Sequence, residues 1–359
     1  MTSKNIARDV LWPDDGKVQV RVAFLYVGQG SSAIVFAKDG DEYRVVLVDI
    51  NLDRKVAGID VPALMKDLLE GQVLNAFCNT HPHDDHLFGT KELSDAVDIK
   101  EVWHSNHKPS RKYGGKHSEL TALVAKVKKK YGDNAEIVLE GSNSSVAYGE
   151  AEYHVLSPAQ YVTEEVNEDD ADKRRARIHE QCGVIKFGKE KQWIMIVGDA
   201  DRCAFETHIT KYHKDRLKSF CLAASHHGSN SFFRENDDQE EYMDGLAAID
   251  PDYTVVSAPT QEESRHNHPR DFAMEKYEEQ CGDDDVFHTG EERYCFIFDI
   301  YDDGSRSNPM NDGGRLVDEY GLREDGGDDG GGKDSAKAEA GYFKAPREQA
   351  GEYQPRKYG

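Results

Sequence analysis

The sequence lacks paired cysteines. Its 359 residues include six cysteines, none of them in a Cys-x-x-Cys spacing: Cys78, Cys182, Cys203, Cys221, Cys281 and Cys295. Several lie inside apolar runs, as Cys295 does in Tyr-Cys-Phe-Ile-Phe. This pattern indicates reduced, buried thiols in a cytosolic protein. It argues against a disulfide framework and against a zinc site built from cysteine pairs.

Long apolar runs are also missing. No stretch approaches the roughly 18 apolar residues that a membrane-spanning helix requires. Residues 1–10 have no apolar core of the kind found in signal peptides. We therefore expect a soluble, cytoplasmic protein with no membrane partner.

Basic residues are scarce relative to acidic ones. The chain has 45 Lys and Arg against 68 Asp and Glu, a formal net charge of −23 at pH 7. This balance disfavours broad, nonspecific binding of long duplex DNA, because the phosphates would meet a repulsive field. A short or single-stranded phosphodiester remains compatible with it if metal ions supply local positive charge.

The chain divides into a patterned part and a tail. Groups of strand signals with helical spacing between them predict an α/β fold over residues 1–302, an αββα sandwich of two sheets faced by helices. Residues 303–359 are rich in Gly and Asp with little apolar periodicity, so we expect a largely disordered tail whose protein partner is unknown. The charge-dense connector 160–178 is interpreted as a solvated loop or helix, with a lid as the alternative.

The loop at residues 80–89 carries the strongest functional signal. It follows an apolar run that predicts a buried strand, and it holds His81, His83, Asp85 and His86. Imidazole and carboxylate are ligands that Zn, and less readily Mn and Fe, accept. Alternate residues of an extended loop point the same way, so His81 and His83 can bind one ion. After a turn, Asp85 and His86 can face a second.

A second candidate follows the apolar run at residues 194–197. Gly198 and Asp199 end that predicted strand, and a carboxylate at the mouth of a strand suits a ligand that bridges two ions. The alternative is an ordinary strand-to-helix turn in which Asp199 caps the next helix.

Two adjacent histidines end the strand at residues 221–224. His226 and His227 precede Gly228-Ser229, and packing alone does not explain an imidazole pair at that point. Adjacent residues point in opposite directions, so we expect one of them to bind metal. The other would orient a neighbour or contact the substrate.

The last candidate follows the strand at residues 253–257. His268, ahead of Pro269, is a candidate for the final metal ligand, and His266 is its rival.

Taken in order, these elements resemble the metallo-β-lactamase superfamily, and specifically the branch of the soluble hydrolase domain of the competence protein ComEC. The resemblance is carried by the elements Val27-Gly28-Gln29-Gly30, Val48-Asp49, the loop 80–86, Gly198-Asp199, His226-His227-Gly228-Ser229 and His268-Pro269. It covers roughly residues 18–300 and leaves out the connector and the tail.

The resemblance implies roles for these residues. His81 and His83 would hold one of two divalent ions, Zn or alternatively Mn, while Asp85 and His86 hold the other. Asp199 would bridge the two ions. His227 would complete the first site and His268 the second, and Asp49 would support the loop by hydrogen bonding.

Three departures from the family pattern leave alternatives open. Ser31-Ser32 stands where an Asp is common, and Ile50-Asn51 replaces the usual residues after Asp49. The chain also has His179 just before the strand that starts near Cys182. His179 could therefore complete the first site in place of His227.

The resemblance implies a metal-dependent phosphodiesterase or nuclease, in which Asp85 both binds metal and accepts a proton from the nucleophile and His226 assists. Two other functions remain. One is hydrolysis of an ester, lactone, thioester or β-lactam by the same fold. The other is a non-catalytic metal-binding subunit.

Overall fold

We describe residues 5–14, 16–53, 57–108 and 114–322 of a computed structural model of the chain. Within them lie two seven-stranded sheets. No helix in this part of the chain combines the length and apolar character needed to cross a membrane.

The first sheet is built from the amino-terminal half of the chain and one late strand. Its strands are β1 (Val18–Phe24), β2 (Ala33–Asp39), β3 (Glu42–Val48), β4 (Leu74–Asn79), β5 (Ile99–His104), β6 (Glu136–Val138) and β14 (Phe296–Tyr301). Their order across the sheet is β14-β1-β2-β3-β4-β5-β6. The strands from β3 to β6 run parallel, and the others pair antiparallel.

The second sheet is built from the remaining strands. They are β7 (Val146–Tyr148), β8 (Ala151–Ser157), β9 (Val184–Lys189), β10 (Gln192–Ile196), β11 (Cys221–Ala223), β12 (Tyr253–Val256) and β13 (Val286–His288). Their order is β13-β12-β11-β10-β9-β8-β7. The strands from β10 to β13 run parallel, whereas β9 runs antiparallel to β10.

Helices cover the outer faces of both sheets. They are α1 (Ile6–Leu11), α2 (Val61–Leu69), α3 (Thr90–Ala96), α4 (Gly114–Tyr131), α5 (Gln160–Glu168), α6 (Ala171–Ala176), α7 (Arg202–Ala204), α8 (Thr210–His213), α9 (Asp244–Ile249), α10 (Asp271–Cys281), α11 (Thr289–Glu292) and α12 (Gly314–Tyr320). A π-helical turn at Phe205–Ile209 joins α7 to α8. The connector predicted at 160–178 thus forms two short helices.

Alternation along the strands explains the layering. In β1, Val20 and Val22 pack in a core between the sheets, whereas Ala23 faces a second core beneath α1 and α2. A third core packs the second sheet against its own helices. A strand with apolar residues on both faces must be covered on both sides. The predicted mixed α/β fold, an αββα sandwich, is confirmed.

The predicted end of the folded part at residue 302 is too early. Helix α12 lies beyond it and buries Leu316 and Tyr320 in the same core as α1 and α2. Gly321 then forms a bridge with Ile59. These few apolar residues are dispersed among Gly and Asp, so the composition of the segment conceals them. The rest of the predicted tail, 323–359, lies outside the described residues.

Strand direction gathers the candidate residues at one edge. The carboxyl ends of parallel strands point the same way, so the chain leaves β10, β11 and β12 at one edge of the second sheet. The chain leaving β4 of the first sheet reaches the same edge, because His81 and His86 lie 3.4 Å and 3.1 Å from the carboxylate of Asp199, which follows β10. Because β9 is antiparallel to β10, its amino end lies at the same edge. The segment carrying His179 enters there.

Candidate metal centre

The loop after β4 folds its polar residues toward one point. It leaves the strand extended and then closes in a short 3-10 turn at Asp84–His86. His81 Nε2 and His83 Nδ1 lie 3.0 Å apart. The turn brings His86 back until its ring centroid is 4.2 Å from that of His81. The local backbone geometry therefore brings three imidazoles of a six-residue segment close together.

The first group of candidate ligands consists of His81, His83, His179 and Asp199. One donor atom from each lies within 4.8 Å of all the others. His179 Nε2 is 3.4 Å from His83 Nδ1, and His81 Nε2 is 3.4 Å from Asp199 Oδ2. All four side chains are wholly or largely buried.

The second group consists of Asp85, His86 and His227. His86 Nε2 and His227 Nε2 are 3.3 Å apart, and His227 Nε2 is 3.4 Å from Asp85 Oδ2. Asp85 has the most accessible side chain of the three, 28% exposed, so this group faces the open side of the site through its carboxylate.

Asp199 lies between the two groups, with one oxygen toward each. Its Oδ2 is 3.4 Å from His81 Nε2 and 3.8 Å from His179 Nε2. Its Oδ1 is 3.1 Å from His86 Nε2 and 3.6 Å from His227 Nε2. This is the arrangement expected of a carboxylate that bridges two ions.

The donor set fits divalent ions. A tetrahedral ion with nitrogen ligands at about 2.1 Å holds neighbouring ligand atoms about 3.4 Å apart, close to the separations within both groups. Among the described residues Asp199 Oδ1 is buried without a hydrogen-bonding partner. His86 Nε2 is 3.1 Å away, but the two groups are not aligned for a hydrogen bond. A cation bound between them would satisfy the oxygen.

Asp49 supports the loop from below. Its carboxylate accepts hydrogen bonds from Thr80 N at 2.7 Å, Thr80 Oγ1 at 2.6 Å and Asn79 Nδ2 at 3.1 Å. It also contacts His86 Nδ1 at 2.7 Å. Asp49 itself is 1% exposed. A carboxylate on one ring nitrogen fixes the orientation of the ring and turns the other nitrogen toward the metal position.

His227 is oriented in the same way by a backbone carbonyl. Its Nδ1 lies 2.9 Å from the carbonyl oxygen of Ser257. Because a carbonyl only accepts, the neutral ring carries its proton on Nδ1 and turns the lone pair of Nε2 toward the second group. Ser257 directly follows β12, so a neighbouring parallel strand sets the tautomer.

Consecutive left-handed residues separate the two adjacent imidazoles. His226 has φ 49° and His227 has φ 56°. Non-glycine residues in this region cost about 1–3 kcal/mol each and are concentrated at functional sites. With this backbone, His227 joins the second group. The Nε2 of His226 stays 3.6 Å from Asp199 Oδ2, and its Nδ1 contacts Ser231 Oγ at 2.9 Å.

Burial keeps the imidazoles of the first group neutral. It lowers the pKa of His81 to about 3, with the charge of His86 acting in the same direction. Burial also holds the pKa of His179 well below its ordinary value, assisted by His226. Neutral imidazole is the form that binds a metal ion, so these rings are ready ligands near pH 7.

The second group lies in a negative field. Burial alone would lower the pKa of His86 and His227, but Asp199 and a second carboxylate beside each ring raise both. Burial would raise the pKa of Asp85, yet its hydrogen bond with His227 and the nearby imidazoles lower it. The field that favours a proton on these rings favours a divalent cation more strongly.

The ligand grouping differs from the one implied by the family resemblance. His179, not His227, lies with His81 and His83, and His227 lies with Asp85 and His86. The sequence left His179 open as an alternative to His227. The side of the site that His226 and His227 each reach depends on their positive φ angles. The sequence pattern does not reveal these angles.

His268 belongs to neither group in the described residues. Its ring instead faces His226, with centroids 5.3 Å apart. Its rival His266 is exposed. The implied role of His268 as the final ligand of the second site is therefore not matched by its position.

Cys182 was not identified as a site residue from the sequence. It accepts a hydrogen bond from the backbone N–H of Asp199 at 3.3 Å, and its sulfur lies 3.6 Å from His81 Nδ1. Burial raises the pKa of this thiol well above its ordinary value, so it remains protonated beneath the centre. A single cysteine at the start of a strand carries no sequence signal for such a position.

Comparisons with known proteins found a match to one family model. A sequence model of the metallo-beta-lactamase superfamily matches residues 41–172, less than half of the chain, and this stretch contains the loop 80–89. The mixed α/β fold with two sheets is consistent with the metallo-beta-lactamase fold, and the members of that superfamily are mostly metal-dependent hydrolases. No curated protein sequence matches the chain.

Solved structures show weaker similarity. An archaeal metallo-beta-lactamase superfamily protein, ST1585 from Sulfolobus tokodaii, is 16% identical over 50% of this chain and 62% of its own, with a TM-score of 0.28. A beta-lactamase domain protein from Burkholderia ambifaria is 12% identical over 53% of this chain and 56% of its own, with a TM-score of 0.30. Metallo-beta-lactamase SMB-1 is 11% identical over 60% of this chain and 84% of its own, with a TM-score of 0.31. The chain thus spans less than two thirds of the first two structures.

Proposed function

We propose that the chain is a dinuclear metal-dependent hydrolase that cleaves phosphodiesters, including those of single-stranded nucleic acids. The observation that carries the proposal is the carboxylate of Asp199, with one oxygen toward each of two histidine-rich groups. Such an arrangement is the basis of two-metal hydrolysis.

The ligands are divided between two positions. His81, His83 and His179 would hold one ion, and Asp85, His86 and His227 would hold the other. Asp199 would contact both. The ions, when bound, supply Lewis acidity that lowers the pKa of water and offsets charge on the phosphoryl oxygens. The abundance of imidazole favours Zn, with Mn as the alternative.

Asp85 and His226 have further roles in this proposal. Asp85 is ionised and partly exposed, so its carboxylate can accept the proton of the attacking water. The ring of His226 lies at the edge of the site beside Asp199 and outside both ligand groups, where it can contact a substrate oxygen.

The preference for phosphodiesters has two supports. The elements at residues 27–30 and 226–229 resemble the ComEC branch, a likeness of sequence rather than a physical argument. In addition, the two groups concentrate positive charge in an acidic chain once ions are bound, which suits a short anionic substrate.

Hydrolysis of bis(p-nitrophenyl) phosphate with Zn or Mn tests the proposal. Asp199→Asn should reduce turnover by at least about 100-fold, because the amide cannot bridge two ions as a carboxylate does. Asp201→Asn is the matched control: Asp201 caps α7 by accepting from Ala204 N, and asparagine keeps that cap.

Full activity in Asp199→Asn would contradict the dinuclear site. The wild-type protein with two ions per chain can also be tested on both substrate classes. If it cleaves p-nitrophenyl acetate and leaves the diester intact, the proposed substrate class changes from phosphodiesters to carbonyl compounds.

A further inference from the structure

Two buried side chains beside the metal centre each carry an unpaired nitrogen. Gln29 is 8% exposed and His268 is 9% exposed, yet Gln29 Nε2 and His268 Nδ1 have no hydrogen-bonding partner among the residues that the structure describes. An unsatisfied buried polar group destabilises the folded state. Within the described residues His268 belongs to neither metal-ligand group, and the amide nitrogen of Gln29 has no lone pair for a cation. Binding an ion therefore does not account for them.

One hydroxyl group links the Gln29 side chain to the backbone of His268. Ser264 Oγ accepts hydrogen bonds from the backbone N–H groups of His268 at 2.9 Å and His266 at 3.3 Å. Both of its lone pairs are then occupied, so its own proton goes to Gln29 Oε1, 2.9 Å away. This bond fixes the Gln29 amide with its NH₂ group unpaired. A free amide NH₂ only donates, so the missing partner is an acceptor and not a cation.

Gln29 adjoins the second ligand group through the next residue, Gly30. A side chain at Gly30 would meet the backbone oxygen of Asp85 at 2.4 Å, so the turn carrying Gln29 lies directly against the metal loop. Ser257 Oγ donates to the Gly30 carbonyl at 2.8 Å, and the Ser257 carbonyl orients His227. His268 approaches the centre from another side, through its ring contact with His226.

We propose that Gln29, Ser264 and His268 form an oxyanion shelf, which binds a non-bridging oxygen of a phosphate group lying at the metal centre. The proposal rests on the phosphodiesterase function and deepens it. Gln29 Nε2 and His268 Nδ1 donate to the oxygen. Ser264 fixes the Gln29 amide through its Oε1 and anchors the backbone of His268, so the amide donor is already oriented when the anion arrives.

Affinity for inorganic phosphate tests the shelf. It is measured by calorimetry on protein loaded with zinc, with metal content determined for every variant. Gln29→Glu keeps the shape of the side chain but replaces the donor with a negative oxygen, and His268→Leu removes the other donor. Each should weaken phosphate binding about tenfold or more while two ions per chain remain, since a hydrogen bond to a charged group is worth about 1.5–3 kcal/mol.

Two further variants separate the shelf from general damage. His268→Asn keeps a donor near the position of Nδ1 and should recover much of the affinity lost in His268→Leu. His266→Ala, on the exposed neighbour of the same loop, should bind phosphate like the wild type. Unchanged affinity in both Gln29→Glu and His268→Leu would overturn the shelf, as would loss of one metal ion in His268→Leu.

The shelf and the phosphodiesterase function can fail separately. Phosphate binding that depends on Gln29 and His268, in a protein that does not hydrolyse bis(p-nitrophenyl) phosphate, would keep the shelf as an anion site and reject the reaction. Diester hydrolysis with unchanged kinetics and phosphate affinity in both variants would keep the reaction and reject the shelf.

Discussion

At the scale of single residues, the centre depends on side chains that never touch a metal position. Asp49 contacts His86 and receives three hydrogen bonds from Asn79 and Thr80. A buried carboxylate satisfied in this way positions the loop before any ion binds, and its contact with His86 sets the direction of a donor atom.

Asp49→Asn is therefore expected to weaken metal binding. The amide is isosteric, but it cannot accept all of these hydrogen bonds, and we expect a loss of about 10–100-fold in zinc affinity. Competition with a chromogenic chelator measures it. Asp39→Asn, at an exposed carboxylate, is the control. Equal zinc affinity in wild type and Asp49→Asn would mean that the loop holds its shape without this support.

Residue spacing predicts part of the centre. His81, His83, Asp85 and His86 lie within six residues, so their proximity is local and readable from the sequence. The division of the remaining ligands is not local. It depends on left-handed backbone at His226 and His227 and on β9 running antiparallel to β10, which brings His179 to the site. Neither property has a signature in the order of residues.

At the scale of elements, α12 shows how a short helix can be missed. Only Leu316, Val317 and Tyr320 among its seven residues are large and apolar, too few to establish a helical period. The helix is nevertheless part of the core beneath the first sheet, where Leu316 is fully buried. The strands were predictable because they alternate or run apolar over longer stretches.

Leu316→Ala should therefore destabilise the fold. Removing a fully buried leucine side chain costs about 2–5 kcal/mol of unfolding free energy. Urea unfolding at a fixed metal concentration measures this loss. Glu319→Ala, on the exposed side of α12, should change stability by less than about 0.5 kcal/mol. Equal stability of the two variants would show that α12 contributes nothing to the core.

At the scale of the whole molecule, the proposed centre for an anionic substrate is carried by a strongly acidic chain. The net charge of −23 repels a polyanion at long range, while bound ions would attract a phosphate at short range. Salt screens the long-range repulsion first, because the Debye length falls to about 8 Å at physiological ionic strength.

Rising salt should therefore favour cleavage of a single-stranded oligonucleotide. Between about 20 and 150 mM salt we expect kcat/KM to increase about two- to fivefold as the repulsion is screened. The same change in salt should have little effect on kcat/KM for bis(p-nitrophenyl) phosphate, because this substrate carries one charge. A steep fall with salt would instead indicate that a local basic surface attracts the strand.

The central claim is that two metal ions lie on either side of Asp199. The most direct measurement is anomalous diffraction at the zinc absorption edge from crystals of the zinc-loaded protein. We predict two anomalous peaks, one among His81, His83 and His179 and one among Asp85, His86 and His227, with an oxygen of Asp199 toward each. A single peak, or a peak bound by His268, would contradict the account.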